Sequence, residues 1–220
     1  MSYILNIDTA QELASVSLSQ NGVCLGVLQN EIQQDHARFL HPAIKQLLNS
    51  NKIELENLSA VAVTGGPGSY TGLRVGMAAA KGICHALDLP LISLCTLKTM
   101  ANAVKLIATE RGALICPMID ARRMEVFTAV FNHHLDSLVE PLAMILEEQS
   151  FANQLQSNPI LFFGSGANKF EAKITNPNAI FLTQLQWVDS MCELSFEALK
   201  QKRFSDLATL SPNYIKEYQA

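Results

Sequence analysis

Val61-Ala62-Val63-Thr64-Gly65-Gly66-Pro67-Gly68-Ser69-Tyr70-Thr71-Gly72-Leu73-Arg74-Val75-Gly76-Met77-Ala78-Ala79-Ala80-Lys81-Gly82 joins an apolar strand, a glycine-rich turn and a helix of unusually small residues. The run before Gly65 suits a short strand covered on both faces, as in a parallel sheet. Gly65, Gly66 and Gly68 can adopt positive φ, Pro67 fixes its own φ, and Ser69 or Thr71 offers an N-cap to the following helix. Such a junction aims backbone N–H groups and the positive helix end at one spot, which makes it a candidate anion cradle. A tight strand-to-helix connection is the alternative. Neither a dinucleotide fingerprint nor a Walker A pattern fits: after Gly66 the glycines fall at Gly68 and Gly72, and Lys81 follows Ala80.

Wound at about 100° per residue, the helix from Gly72 to Leu87 puts Gly72, Gly76, Ala80, Ile83 and Leu87 on one face, with Leu73, Met77 and Cys84 beside them. Val75, Ala78, Ala79, Gly82 and Ala86 occupy the opposite flank, and Arg74, Lys81 and His85 form a narrow polar strip. An ordinary surface helix buries one stripe. This one is expected to make two contacts, with its own sheet on one side and another body on the other. Glycine inside a helix costs about 1 kcal/mol relative to alanine, so Gly76 and Gly82 need a compensating reason, and close backbone approach is the usual one.

The 220 residues are 49% hydrophobic and 16% charged, a core-rich globular composition with room for one large domain or two small lobes. A net charge of −4 argues against a chain that is itself the main nucleic-acid binder, since Arg122-Arg123 is the closest thing to a basic cluster. Cys24, Cys84, Cys95, Cys116 and Cys192 lie scattered in apolar runs without CxxC spacing and read as reduced core residues. No run approaches a membrane span, and Met1-Ser2-Tyr3 opens no signal-like segment, so the cytoplasm is expected.

Outward from the opening stretch, Tyr3 to Ile7 is a strand that stops at Asp8-Thr9-Ala10. Ala14, Val16 and Leu18 alternate with serines up to the Asn21-Gly22 hairpin signal, after which Val23, Leu25 and Val27 alternate again. Leu40, Ile44, Leu47 and Leu48 mark a helix with Asp35 as candidate cap and Pro42 in an early turn. His36 and His41 are five apart, the wrong spacing for a helical metal pair, and are expected to be exposed or capping. His133-His134 reads as a solvated turn. Leu91 to Leu94 is the next strand, and Thr96 caps a helix carrying Leu97, Met100 and Val104.

The chain then begins again. Leu114 to Asp120 ends in a carboxylate as Ile4 to Asp8 does, and Val126 to Phe131 follows a short turn, a weak internal repeat that coincidence between apolar strands could also produce. A helix near Ser150 to Gln156, a strand Ile160 to Phe163, the loop Gly164-Ser165-Gly166-Ala167-Asn168, a strand Ala179 to Leu182 and a helix from Val188 to Lys200 complete it. The expected fold is α/β, the duplicated two-lobe architecture of actin, hexokinase and Hsp70-type ATPases (ASKHA), with mixed five-stranded sheets flanked by helices. Its lobes are expected at 1–110 and 111–220, divided near Glu110-Arg111-Gly112.

Ile7-Asp8-Thr9-Ala10, the segment from Gly65 to Gly76, Ala80-Lys81-Gly82 and Ser211-Pro212-Asn213-Tyr214 together resemble the TsaB (YeaZ) family, essentially end to end. That family comprises bacterial accessory subunits for threonylcarbamoyladenosine in tRNA. The resemblance implies a catalytically silent relative of TsaD, the subunit that transfers threonylcarbamoyl from its adenylate to the adenosine beside the anticodon. It implies docking on TsaD through a bundle of the first two helices, here through Leu40, Ile44, Leu47, Leu48, Gly72, Leu73, Gly76, Met77, Ala80, Ile83 and Cys84. The same patch would make a homodimer when the chain is alone. The ATPase TsaE is the implied third member, tRNA contact is at most indirect, and ATP or ADP is expected only in the complex.

The two metal-binding histidines of TsaD, four apart around Glu-Gly, have no counterpart here. No metal, no intrinsic cofactor and no catalytic residue is expected. Asp8, Thr9, Gly66, Gly68, Ser69, Asp120, Gly164 and Gly166 are the candidates for vestigial nucleotide or phosphate loops. An active loop of this fold has glycine shortly after its aspartate, whereas Thr9-Ala10-Gln11 follows Asp8. The rival reading is an ATP-dependent small-molecule kinase or ATPase using Asp8, Asp120 and the glycine loops to hold Mg²⁺-ATP. A metallopeptidase lacks both HExxH and another ligand set.

Overall fold

The computed structural model describes residues 1–32, 35–183 and 185–216. β1 (Tyr3–Asp8) pairs antiparallel with β2 (Ala14–Gln20), which turns at Asn21-Gly22 into β3 (Val23–Asn30). Both turn residues have positive φ, 51° and 86°, as a tight hairpin connection demands. β4 (Leu58–Gly66) and β5 (Leu91–Cys95) add parallel strands on the other side of β1, for the order β3-β2-β1-β4-β5.

The period of two sorts the residues of this sheet between two covers. Leu5, Ile7, Val16, Leu18, Val61 and Val63 face α1 (His36–Asn51) and α2 (Tyr70–Leu87), whereas Ile4, Ala60, Ala62 and Ile92 face a helix from the far end of the chain, Val188–Lys200. Parallel strands covered on both faces explain the unbroken apolar run at Val61 to Val63. β3 is the edge strand, and there the expected alternation is inverted. Val23, Leu25 and Val27 are exposed while Cys24, Gly26 and Leu28 are half-buried.

Residues 97–187 repeat the plan. After α3 (Thr96–Asn102) and α4 (Lys105–Arg111), β6 (Leu114–Asp120), β7 (Glu125–Phe131) and β8 (Ser137–Ile145) form an antiparallel meander. β9 (Ile160–Phe163) and β10 (Ala179–Phe181) then join in parallel, giving β10-β9-β6-β7-β8. Read by rank within each half, the two strand orders are identical, so the repeat is genuine at the level of topology. α5 (Ala152–Ser157) and α6 (Ala167–Glu171) cover one face, where Phe151, Phe162 and Phe170 meet edge to face at 5.0 to 5.4 Å.

The two compact units are 1–96 with 188–214, and 97–187 with 215–220. This differs from a simple cut near residue 110. The terminal helix α7 (Val188–Lys200) presents Met191, Cys192 and Ala198 to the first sheet, so the chain returns to its starting unit. An amphipathic helix carries no record in its own sequence of which sheet it will cover, and the linear order misassigned it. β8 escaped the sequence reading because Glu140-Pro141 interrupts any alternation, a tolerable pattern in an edge strand.

Candidate docking groove and phosphate-type loops

The glycine-rich turn is closed by the chain's own backbone. Ser69 N–H donates to the Ala10 carbonyl at 2.7 Å, Gly72 N–H to Ser69 Oγ at 3.3 Å, and Leu73 N–H to the Ser69 carbonyl at 2.8 Å. Ser69 is thus the N-cap that the sequence offered, and it takes up donors an anion would otherwise use. The Thr9 hydroxyl donates to the Gly72 carbonyl at 2.7 Å. A Cβ at Gly68 would collide with the Ala10 carbonyl, one at Gly72 with the Thr9 carbonyl, and one at Gly76 with Thr9 Oγ1. The close approach that these glycines permit is therefore of the β1–β2 turn to α2.

Asp8 is 3% exposed, and its Oδ1 accepts from the Thr64 hydroxyl at 2.9 Å and Ala10 N–H at 3.1 Å. It fastens β1 to β4 and shapes the turn. Gly66, with φ +115°, belongs to a different contact. Its α-hydrogen side abuts the Asn213 carbonyl, and Asn213 N–H donates to the Gly65 carbonyl at 2.7 Å. The terminal Ser211-Pro212-Asn213-Tyr214 is thus a strap over the turn. Tyr214 lies 4.8 Å from Tyr70, the Arg74 guanidinium sits 4.3 Å over Tyr70, and Arg74 Nε donates to the Tyr214 hydroxyl at 2.9 Å. Lys81 Nζ reaches the Leu210 carbonyl at 3.0 Å. Arg74 of the polar strip on α2 is therefore occupied by the strap and Lys81 by the residue just before it, contacts that no local sequence pattern announced.

In the second unit the structure brings Asp120, Gly164 and Gly166 together. Asp120 Oδ1 accepts from Lys169 Nζ and Arg122 N–H, both at 2.6 Å, and Asp120 N–H donates to Ser165 Oγ at 3.0 Å. Gly166 N–H donates to the Met118 carbonyl at 3.0 Å. Gly164 has φ +98° and approaches the same carbonyl, and a Cβ at Gly166 would press on Val126. These glycines pack a loop against the end of β6. A cavity of about 280 Å³ opens beside it, between Gly164, Ser165, Asn168, Leu182 and Trp187. Among the described residues no group of three or more His, Cys, Asp and Glu could hold a metal ion. His36 is buried rather than exposed, its Nε2 3.0 Å from the Glu12 carbonyl. Asp35 makes no side-chain cap and instead lies 3.8 Å from Arg38. Thr96 opens α3 with its hydroxyl buried and without a partner.

Most of the residues expected on a partner face line the chain's own core. Leu40, Ile44, Leu47, Leu48, Gly72, Leu73, Gly76, Met77, Ala80 and Cys84 are all buried against the first sheet, and Ile83 is half-buried. Burial pushes the Cys84 thiol up to about 11, in keeping with its interior place. The side of α2 through which the resemblance implied docking is instead packed on the first sheet. The outward face is the opposite flank together with Ile83 and Leu87 at its margin. Val75, Ala78, Ala79, Gly82, Ile83, Ala86 and Leu87 of α2, with Ala37, Leu40 and His41 of α1 and Leu55 of the short 3₁₀ turn Leu55–Asn57, line an apolar groove of about 550 Å³. Gly82 stands apart from the other glycines, since a Cβ there would meet nothing within 4 Å. No internal contact offsets its cost to the helix.

Two like-ordered, mixed five-stranded sheets flanked by helices define the duplicated actin and sugar-kinase class. An inorganic polyphosphate/ATP-glucomannokinase from Arthrobacter superposes with a TM-score of 0.53 at 11% identity, covering 91% of this chain and 100% of that one. The family model described as TsaD, tRNA N6-adenosine threonylcarbamoyltransferase, matches residues 11–218, and the chain belongs to this family in its TsaB/YeaZ branch. The tRNA threonylcarbamoyladenosine biosynthesis protein TsaB of Bacillus subtilis is 27% identical over 223 residues, 99% of this chain and 95% of the relative. A Pseudomonas aeruginosa protein described as similar to peptidase YEAZ superposes with a TM-score of 0.83 at 23% identity, covering 98% of this chain and 100% of that one. Among the described residues no helix is long and apolar enough to cross a membrane.

Proposed function

We propose that the chain is a non-catalytic subunit of the machinery that makes threonylcarbamoyladenosine in tRNA, and that it acts by docking on a TsaD-type transferase through the α1–α2 groove. The observation that carries this reading is the outward face of α2. It is apolar, built of small residues, and contains a helical glycine with no internal justification. A second helix packed there would gain the close backbone approach that Gly82, Ala78 and Ala86 allow. The same groove would be covered by a second copy when the chain is alone. TsaE is the third member of the proposed assembly, nucleotide enters only with the partners, and tRNA contact is at most indirect.

The kinase or ATPase reading requires donors left open for phosphate and a carboxylate left open for metal or water. Ser69 N–H, Gly72 N–H and the Asp8 Oδ1 atom already have partners within the chain, which favours the scaffold. Reconstitution of modification with TsaD, TsaE, ATP and tRNA tests the choice. Asp8→Asn keeps an Oδ1 acceptor for Thr64 and Ala10 while removing the charge that a catalytic carboxylate needs. The variant is expected to support the wild-type yield of modified adenosine. A yield reduced tenfold or more, with the variant folded and TsaD still bound, would assign Asp8 a chemical role.

A further inference from the structure

Cys24 of β3 and Cys192 of α7 lie on the face of the first sheet away from the groove. β2 and β3 pair Leu18 with Gly26 and then Ser19 with Cys24, so Leu25 is an extra residue and the side-chain alternation reverses across it. Gly26 consequently faces Leu47 and Asn51 of α1, while Cys24 turns to the opposite cover, beside Ser19. The Ser19 hydroxyl accepts from Asn6 Nδ2 at 3.2 Å, and the same Nδ2 is 3.6 Å from the Cys192 sulfur. Ser17 Oγ lies 3.5 Å from that sulfur, and Cys24, whose Sγ donates to the Gly26 carbonyl at 3.5 Å, is near enough to help hold the Cys192 thiol in its protonated form. Across the Asn21-Gly22 turn the fit is equally close, since a Cβ at Gly22 would stand 3.1 Å from the Phe196 ring of α7. Cys24 is half-buried and Cys192 fully buried, and all five cysteines are free thiols.

We propose that Cys24 and Cys192 form an oxidation site, closing to a disulfide between the edge of the first sheet and α7 when a peroxide oxidises the more accessible thiol. The Cys24 sulfur attacks one peroxide oxygen, the O–O bond breaks, and Cys24 becomes a sulfenic acid with release of water. The Cys192 sulfur then attacks the Cys24 sulfur, the S–O bond breaks, and the hydroxyl leaves as a second water with the Cys192 proton. Two thiols are oxidised to one disulfide and one peroxide is reduced to two waters. Burial pushes the Cys192 thiol up to about 12, while its hydrogen bond with Ser17 pulls the other way, so the second step is slow at neutral pH and accelerates as the solution is made alkaline. The bond would close a loop that contains residues 97–187 and pin the returning helix to the first sheet, which raises the unfolding midpoint.

The test treats the intact chain with hydrogen peroxide, blocks remaining thiols with N-ethylmaleimide, and maps disulfides by mass spectrometry of peptides. Wild type is expected to lose two hydrogens and yield linked peptides carrying Cys24 and Cys192, reversed by dithiothreitol, with a higher urea midpoint before reversal. Cys24→Ser, a change at the half-exposed member, should fold normally and yield no link to Cys192. Cys192→Ser should leave Cys24 trappable as the sulfenic acid by dimedone. A wild-type protein whose Cys24 proceeds to sulfinic acid while Cys192 stays alkylatable on unfolding, or one that links a different pair, would overturn the proposal.

Discussion

Gly82→Trp is expected to abolish co-elution with TsaD while leaving the chain as stable as before. A Cβ at Gly82 meets nothing within 4 Å, so an indole there extends into the groove without disturbing the sheet. Helix propensity moves in favour of the variant, because almost any residue is better than glycine in a helix interior. In the docked state the same indole fills space that the partner's helix needs. Truncating or obstructing a central contact commonly costs ~2 kcal/mol or more, about a thirtyfold weakening. Ala78→Glu should act in the same direction by placing an unpaired carboxylate in a dry contact. Size-exclusion chromatography of the mixture, with circular dichroism of each variant alone, separates lost binding from lost folding. Obstruction at Gly76 or Ala80 could not make that separation, since both lie in the chain's own core.

Gly72→Ala and Gly82→Ala are expected to move stability in opposite directions by amounts that a denaturant titration resolves easily. At Gly72 one methyl would drive into the Thr9 carbonyl, which is backbone and cannot swing aside, and would strain the bond from the Thr9 hydroxyl to the Gly72 carbonyl. Overpacking together with a weakened buried hydrogen bond gives a loss of about 2–4 kcal/mol. At Gly82 the methyl enters open space, and the gain in helix propensity raises stability by up to ~1 kcal/mol. Urea unfolding at fixed m-value measures both. Equal and small effects at the two positions would mean that the glycines of α2 do not divide into an inner and an outer set.

The strand, turn and helix around Gly65 to Gly82 were legible because each signal is local. Val61 to Val63 is apolar on both faces, Ser69 caps, and the small residues follow a helical period. The duplicated sheet order was legible for the same reason, through the Asp8 and Asp120 strand ends. The direction in which α2 faces was not. Gly72 and Gly76 are small because the turn at Thr9 presses on them, whereas a Cβ at Gly82 would meet nothing within the chain. Composition cannot distinguish these causes. The strap of Asn213 and Tyr214 and the return of α7 to the first sheet depend on long-range contacts in the same way. The bulge at Leu25, which re-aims Cys24, leaves only an alternation that appears regular while its register slips by one.

The groove assignment is tested most directly by asking whether TsaD covers it. Ala86→Cys places a thiol on the exposed wall of the groove, where alkylation by a maleimide can be timed. On adding TsaD to saturation, the labelling rate at this position is expected to fall at least tenfold, while the half-exposed native Cys24 on the opposite cover of the sheet keeps its rate. An unchanged rate at Ala86→Cys in a complex that demonstrably contains both proteins would contradict the account and place the docking surface elsewhere.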